Sequence, residues 1–229
     1  MAAYWHSPMA SPESRSSQPG WSRQCAIRLT IFWPVKMLGV TLGMALFFAL
    51  YFWVLRHPSV SPVVMPLTAL DHWIGFCPAA LPLYLSLWLY VSLVPGLQND
   101  RRDLLGWGIA AATLSAIGLD IFYFWPTAVP SSGVEWSQES GFAFLKTVDA
   151  SGNACPSLHV AFAVFSAVWI SRVLSQTGAG PLLRALNWLW CLGITYSTVA
   201  TRQHVAFDVL AGAILGTAVA AIPWRRVVG

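Results

Sequence analysis

Six apolar stretches punctuate the chain, at about residues 34–55, 74–95, 104–125, 157–174, 182–200 and 204–223. Each is close to the ~20 residues an α-helix needs to cross a hydrocarbon core. Charged residues fall largely in the breaks between them, and no internal repeat is evident. The pattern predicts an all-α fold, a polytopic bundle of six transmembrane helices. The second stretch holds Pro78 and Pro82, which a membrane helix tolerates where neighbouring helices cover the freed carbonyls. A tight hairpin around Thr201-Arg202-Gln203 separates the last two stretches. The one long connection, about 126–156, joins the third and fourth helices and mixes Pro126 and Pro130 with Trp136, Phe142, Phe144 and Lys146. It reads either as an interfacial segment guarding lipid access or as a passive loop with aromatic anchors.

Residues 1–30 are rich in Ser and Pro and carry Arg15, Arg23 and Arg28. They are expected to form a disordered cytoplasmic tail, with residues 31–229 making up the membrane domain. The compact charged start, short apolar core and cleavage site of a signal peptide are missing, so the first span is expected to stay as an anchor. The cations then set the orientation. Arg15, Arg23, Arg28, Lys36, Arg101, Arg102, Arg172, Arg184, Arg225 and Arg226 fall on one side of the six-span layout. Arg56, Lys146 and Arg202 fall on the other. By the positive-inside rule both termini are cytoplasmic, and the long loop is extracytoplasmic, periplasmic or lumenal.

Composition sharpens this picture. Hydrophobic residues make up 56% of the chain and charged residues 10%, against about 25% charged in a soluble protein. The 13 tryptophans suit interfacial belts. The net charge of +4 is dispersed over span flanks, so a nucleic-acid partner is not expected. Cys25, Cys77, Cys155 and Cys191 show no C-x-x-C spacing, which argues against a structural zinc site. Cys155 reads as a small filler ahead of Pro156 rather than a nucleophile.

The candidate chemistry lies at the starts of the fourth and sixth stretches. His204 and Asp208 stand four residues apart, one helical turn, so they are expected on one face. A carboxylate beside an imidazole orients the ring and stabilises its charged form, leaving the other ring nitrogen free to react. The same stripe continues through Gly212, Gly216 and Ala220, small residues that suit a face packed on other helices. His159 follows Pro156 and Ser157 at the opening of the fourth stretch. Ser157 reads as a phosphate ligand at a helix start or as a helix cap. Ser197 reads as orienting a phosphate oxygen or as bonding a helix carbonyl. Arg202 and then Lys146 are the nearest candidate cations for a phosphate, and Asp120 orients a cation or acceptor or makes a bundle hydrogen bond.

The order Pro156-Ser157-x-His159, then Ser197-x6-His204-x3-Asp208, resembles the type 2 phosphatidic acid phosphatase superfamily of membrane phosphatases and phosphotransferases. Pro156, Ser157 and His159 match its second motif; Ser197, His204 and Asp208 match its third. Leu158 stands where the commoner motif has glycine, and Thr198 where it has arginine; the lysine and Arg-Pro of the first motif are absent as such. Leu158 with H-x3-D-x3-G is closer to the inositol phosphorylceramide synthase-like branch.

These residues together suggest phosphoryl transfer with no metal and no other cofactor. His204 attacks phosphorus, Asp208 holds its ring, and His159 handles the proton of the leaving group and acceptor. The expected partners are membrane lipids and a phosphorylated lipid substrate, such as phosphatidic acid or a polyprenyl diphosphate, with no oligomeric state implied. Transfer of a phospho-headgroup to a lipid alcohol is the alternative, and a non-catalytic lipid binder or transporter is a remote one. The orientation is checked by single cysteines introduced at 126–156 in a cysteine-free variant. They should label in intact cells with a membrane-impermeant thiol reagent, while Arg101→Cys should not.

Overall fold

The computed structural model describes residues 19–131 and 152–227, without the side chains of Arg225 and Arg226. The chain is mostly helical. The first helix, α1 (Trp21–Thr30), falls inside the stretch read as tail and is followed by α2 (Trp33–Arg56). An outer segment carries β1 (Val63–Val64) and the short α3 (Ala69–Ile74). The second apolar stretch is not one rod. A 3-10 turn at Pro78–Ala80 leads into α4 (Leu81–Leu85) and then α5 (Leu87–Gly96). The break falls at Ser86, whose hydroxyl turns back to the Leu83 carbonyl and accepts the Trp190 indole N–H. Next come α6 (Arg101–Phe124), β2 (Thr127–Ala128), α7 (Leu158–Gln176), α8 (Pro181–Ala200), α9 (Ala206–Ala221) and α10 (Trp224–Val227). The helical expectation is amended by one small feature: β1 and β2 pair in parallel, tying the outer segment to the end of α6.

Among the described residues four helical runs are long and apolar enough to cross a membrane: Trp33–Arg56, Pro78–Gly96, Arg101–Phe124 and Leu158–Gln176. The two remaining apolar stretches do form helices but differ in kind. Arg184, Asn187, Ser197 and Thr198 dilute α8 with polar groups. The 16 residues of α9 span about 24 Å, short of a ~30 Å hydrocarbon core.

The bundle core forms where α7 packs between α5, α8 and α9, and a hydrogen-bonded cluster around Asn187 is buried in it. Asn187 donates to the Ala167 carbonyl and the Ser171 hydroxyl and accepts from the Tyr90 hydroxyl at 2.7 Å. The closest joint is between α7 and α9. A Cβ at Gly212 would collide with the Ser157 carbonyl, and one at Gly216 with the Ala161 carbonyl. Gly212, Gly216 and Ala220 are all buried, so the small-residue stripe faces a helix, as the sequence suggests.

Four of the cations gather at the end of the bundle away from His159 and His204. The Lys36 ammonium is buried and donates to the carbonyls of Arg28, Gly96 and Gln98 at 2.6, 2.8 and 2.7 Å, using all three of its protons. Arg28 donates to the Leu97 carbonyl and to Gln176, Arg101 lies over the Phe32 ring, and Arg172 donates to the Ala220 carbonyl.

Gly216→Val inserts bulk against a backbone carbonyl that cannot move aside, and it should cost about 1–3 kcal/mol. Thermal unfolding of the detergent-purified protein should show a lowered midpoint. Gly108→Ala should not lower it, because a Cβ there meets nothing within 4 Å.

Candidate active site

The site begins with a turn. At the end of α8, the Ser197 carbonyl accepts the N–H and the hydroxyl of Thr201, and the Thr198 carbonyl accepts the N–H groups of Gln203 and His204. Arg202 takes a left-handed backbone (φ 58°) to let the chain reverse. His204 therefore lies before α9, not on its first turn as the four-residue spacing suggests. The pair still meets, through a helix-start contact instead of a shared helix face. Asp208 is the third residue of α9, and its Oδ2 reaches back to accept the Val205 N–H at 3.0 Å. This brings His204 Nδ1 to 3.6 Å from the same oxygen. That distance is an ion-pair approach beyond hydrogen-bond length. His204 Nδ1 and Asp208 Oδ1 are both buried with no hydrogen-bond partner among the described residues. Nε2 is the nitrogen that points away from the carboxylate.

The second histidine is held differently. Ser157 caps α7, its Oγ accepting the Val160 N–H at 3.2 Å, and its own N–H donates to the Asp208 carbonyl at 2.9 Å. His159 lies in the first turn of α7, stacked on Tyr84 with ring centroids 3.9 Å apart. Its Nε2 is 3.0 Å from the Tyr84 carbonyl. A carbonyl only accepts, so Nε2 carries a hydrogen and Nδ1 is the nitrogen left for chemistry. His159 and His204 line one groove of about 430 Å³.

The other sequence candidates are placed as follows. Ser157 is fully buried; its oxygen is engaged by the cap, while its hydroxyl hydrogen is uncommitted by that bond. Ser197 is fully buried and donates to the Ile194 carbonyl at 2.6 Å. Arg202 Nη1 donates to the Asp71 carbonyl at 2.9 Å. Asp120 is exposed, and neither it nor Ser157, Ser197 or Arg202 is part of the groove lining. Lys146 lies outside the described residues. Burial, then the charge of Asp208, push the Cys155 thiol up to about 11, which keeps it protonated and unreactive at neutral pH.

Two residues outside the motifs complete the site. Tyr84 supplies both the ring and the carbonyl that seat His159. Asp71, 1% exposed, bridges the outer segment to the His204 turn. Its Oδ2 accepts the N–H and hydroxyl of Thr68, and its Oδ1 accepts the Ala206 N–H at 2.8 Å. Burial opposes the charged form of Asp71, but these donors and the Arg202 charge outweigh it and hold the carboxyl below its usual range. A trace of Asp71 was legible in the Thr68-x-x-Asp71 spacing, a capping-box pattern. Nothing local pointed to Ala206 as its partner.

The fold and site define a helical protein with membrane-grade spans and a two-histidine centre. The PAP2 superfamily profile matches residues 104–228, more than half of the chain, and the chain belongs to that superfamily. Membership implies phosphatase or phosphotransferase activity. No curated protein and no solved structure matches the chain.

Asp71→Ala removes the acceptor that holds the His204 turn and should cost about 2–3 kcal/mol, with Asp71→Asn in between. Because the folded carboxyl titrates below its unfolded range, its contribution is complete at neutral pH and is lost as pH falls through the folded value. Thermal midpoints of wild type and Asp71→Ala should therefore converge on acidification.

Proposed function

We propose that the protein is an integral-membrane lipid phosphate phosphatase that hydrolyses a phosphomonoester or diphosphate through a phosphohistidine. The observation carrying this reading is that two histidines from separate motifs line one apolar groove, one of them backed by a fully buried carboxylate. His204 Nε2 attacks phosphorus in line and forms the P–N bond as the ester P–O bond breaks. Asp208 stabilises the charge that develops on the ring. His159 gives the departing oxygen a proton, then takes one from the water that cleaves the P–N bond and releases phosphate. Arg202 spends one N–H on Asp71 and keeps the rest of its guanidinium for phosphate oxygens. Ser157 donates its hydroxyl hydrogen to the same group without losing its cap. Ser197 would have to leave the Ile194 carbonyl to join them, and Lys146 supplies a second cation from the long loop. The reading includes six spans, cytoplasmic termini and an extracytoplasmic site, supported by the segregation of the cations.

Leu158 favours a second reading within the inositol phosphorylceramide synthase-like branch, in which a lipid alcohol replaces water as acceptor. It lines the groove beside His159 and makes that wall apolar.

The roles of the histidines separate on leaving-group quality. A lipid alkoxide needs a proton to leave, whereas an aryl oxide with a low pKa does not. Both His204→Ala and His159→Ala should abolish phosphate release from a lipid phosphate. With labelled p-nitrophenyl phosphate, His159→Ala should still trap acid-labile, base-stable label on the protein, and His204→Ala none. Label that survives His204→Ala and vanishes in His159→Ala would reverse the roles.

A further inference from the structure

The groove that ends at the two histidines does not stop at the site. It runs along α2 from Tyr51 to Gly39 and along α6 from Phe122 to Trp107. At 1.5 Å per residue these runs are about 18 Å and about 22 Å long, most of the depth of a hydrocarbon core. The histidine end is fixed by contacts on the outer side: Tyr51 lies edge-on to Phe122, and its carbonyl accepts from Asn153. The far end lies toward the Lys36 cluster, less than one turn beyond Gly39 on α2. Between the ends the lining contains no Lys, Arg, Asp or Glu. Glycines form part of its wall. A Cβ on Gly39, Gly43 or Gly108 would meet nothing within 4 Å, in contrast to Gly212 and Gly216, whose missing Cβ is filled by backbone. The polar end is distinguished by the two imidazoles of the lining, His159 and His204, the second nine-tenths buried.

A slot that is apolar along its length and ionisable at one end fits an amphiphile, with phosphate at the histidines and hydrocarbon below. We propose that this groove seats a hydrocarbon chain of the substrate lipid and measures its length, with Gly43 and Gly39 as successive marks on α2. The proposal rests on the lipid-phosphate reading above and adds to it the class of chain. An extended chain with bonds of about 1.5 Å advances roughly 1.25 Å per methylene. The slot therefore accepts about 14–18 carbons counted from the phosphate. Gly43 lies about 12 Å from Tyr51, the depth of about ten methylenes, and Gly39 about 18 Å, the depth of about fourteen. Selection is steric. A chain already in the bilayer gains little from leaving lipid for an apolar slot, so fit and not hydrophobic transfer distinguishes lengths.

The test uses the purified full chain in nanodiscs and a series of n-alkyl phosphonates, which bind without being hydrolysed, alongside the matching alkyl phosphates for turnover. Wild-type affinity should climb to chains of about 14–18 carbons and fall beyond them. Gly43→Leu should move the cut-off to about ten carbons and Gly39→Leu to about fourteen, with at least a tenfold loss for the next lengths up. Ala45→Leu adds comparable bulk, one carbon less, on α2 outside the lining and should leave the cut-off where it is. The glycine variants add bulk to open space, so unfolding midpoints near wild type should accompany the shift. Identical length profiles in wild type, Gly39→Leu and Gly43→Leu would overturn the proposal. So would a shift in Ala45→Leu as large as that in Gly43→Leu. If the phosphonates show the graded cut-offs while wild type releases phosphate from no alkyl phosphate, the chain seat stands and the phosphatase reading falls.

Discussion

The close joint between α7 and α9 is the contact on which the site depends. At Gly212 and Gly216 the space of two absent side chains is taken by the carbonyls of Ser157 and Ala161, so the helices meet backbone to backbone. Lipid is as apolar as leucine and offers no hydrophobic drive for helix association, so close packing and direct hydrogen bonds carry it. Here the Ser157 N–H donates to the Asp208 carbonyl at 2.9 Å, joining the cap of one motif to the carboxylate residue of the other. That bond and the glycine contacts set the separation of His159 and His204. A methyl group at either glycine would change that separation before it changed any ring.

Around this joint the outer segments add orientation. Tyr84 seats His159 by stacking and by accepting Nε2–H, which settles the nitrogen presented to the groove. Asp71 clamps the turn that carries His204 through the Ala206 N–H and, by its carbonyl, through Arg202. Both come from short helices, α3 and α4, in the chain between α2 and α6. Long helices place the reactive groups in depth, and these short pieces place them in angle. The division follows from hydrogen bonding, since the interior of a long helix has committed its backbone carbonyls, whereas those in the last turn of a short one can accept from elsewhere.

At the other end of the bundle the constraint is charge. Lys36 is buried, and an unsatisfied ammonium in an apolar setting would be costly. Three carbonyls from α1, from the end of α5 and from the connection after it surround it, so the cation draws those segments together. Arg28 and Arg172 likewise spend their charge on carbonyls at helix ends. The same carbonyls, left open where helices finish, are natural partners for cations.

Much of this was legible from local spacing. The apolar runs located the helices, because a length near twenty apolar residues has few other uses. The His204–Asp208 spacing located the pair, since groups four residues apart meet either on a helix or across its start. The glycine stripe announced a packed face because residues that small gain nothing from lipid. What the spacing did not determine was anything that depends on segments distant in sequence. It placed His204 on the helix, whereas the Thr198 carbonyl and the Asp71 clamp hold it in the turn before. It left Ser157 between cap and ligand and Ser197 between two partners; the fold puts the first on Val160 and the second on Ile194. Tyr84, Asp71 and the groove went unseen. Their partners lie 75, 135 and more residues away, and such contacts exist only after the bundle has closed. Periodicity reports which face a residue occupies, while the identity of the atoms opposite that face is decided by packing alone.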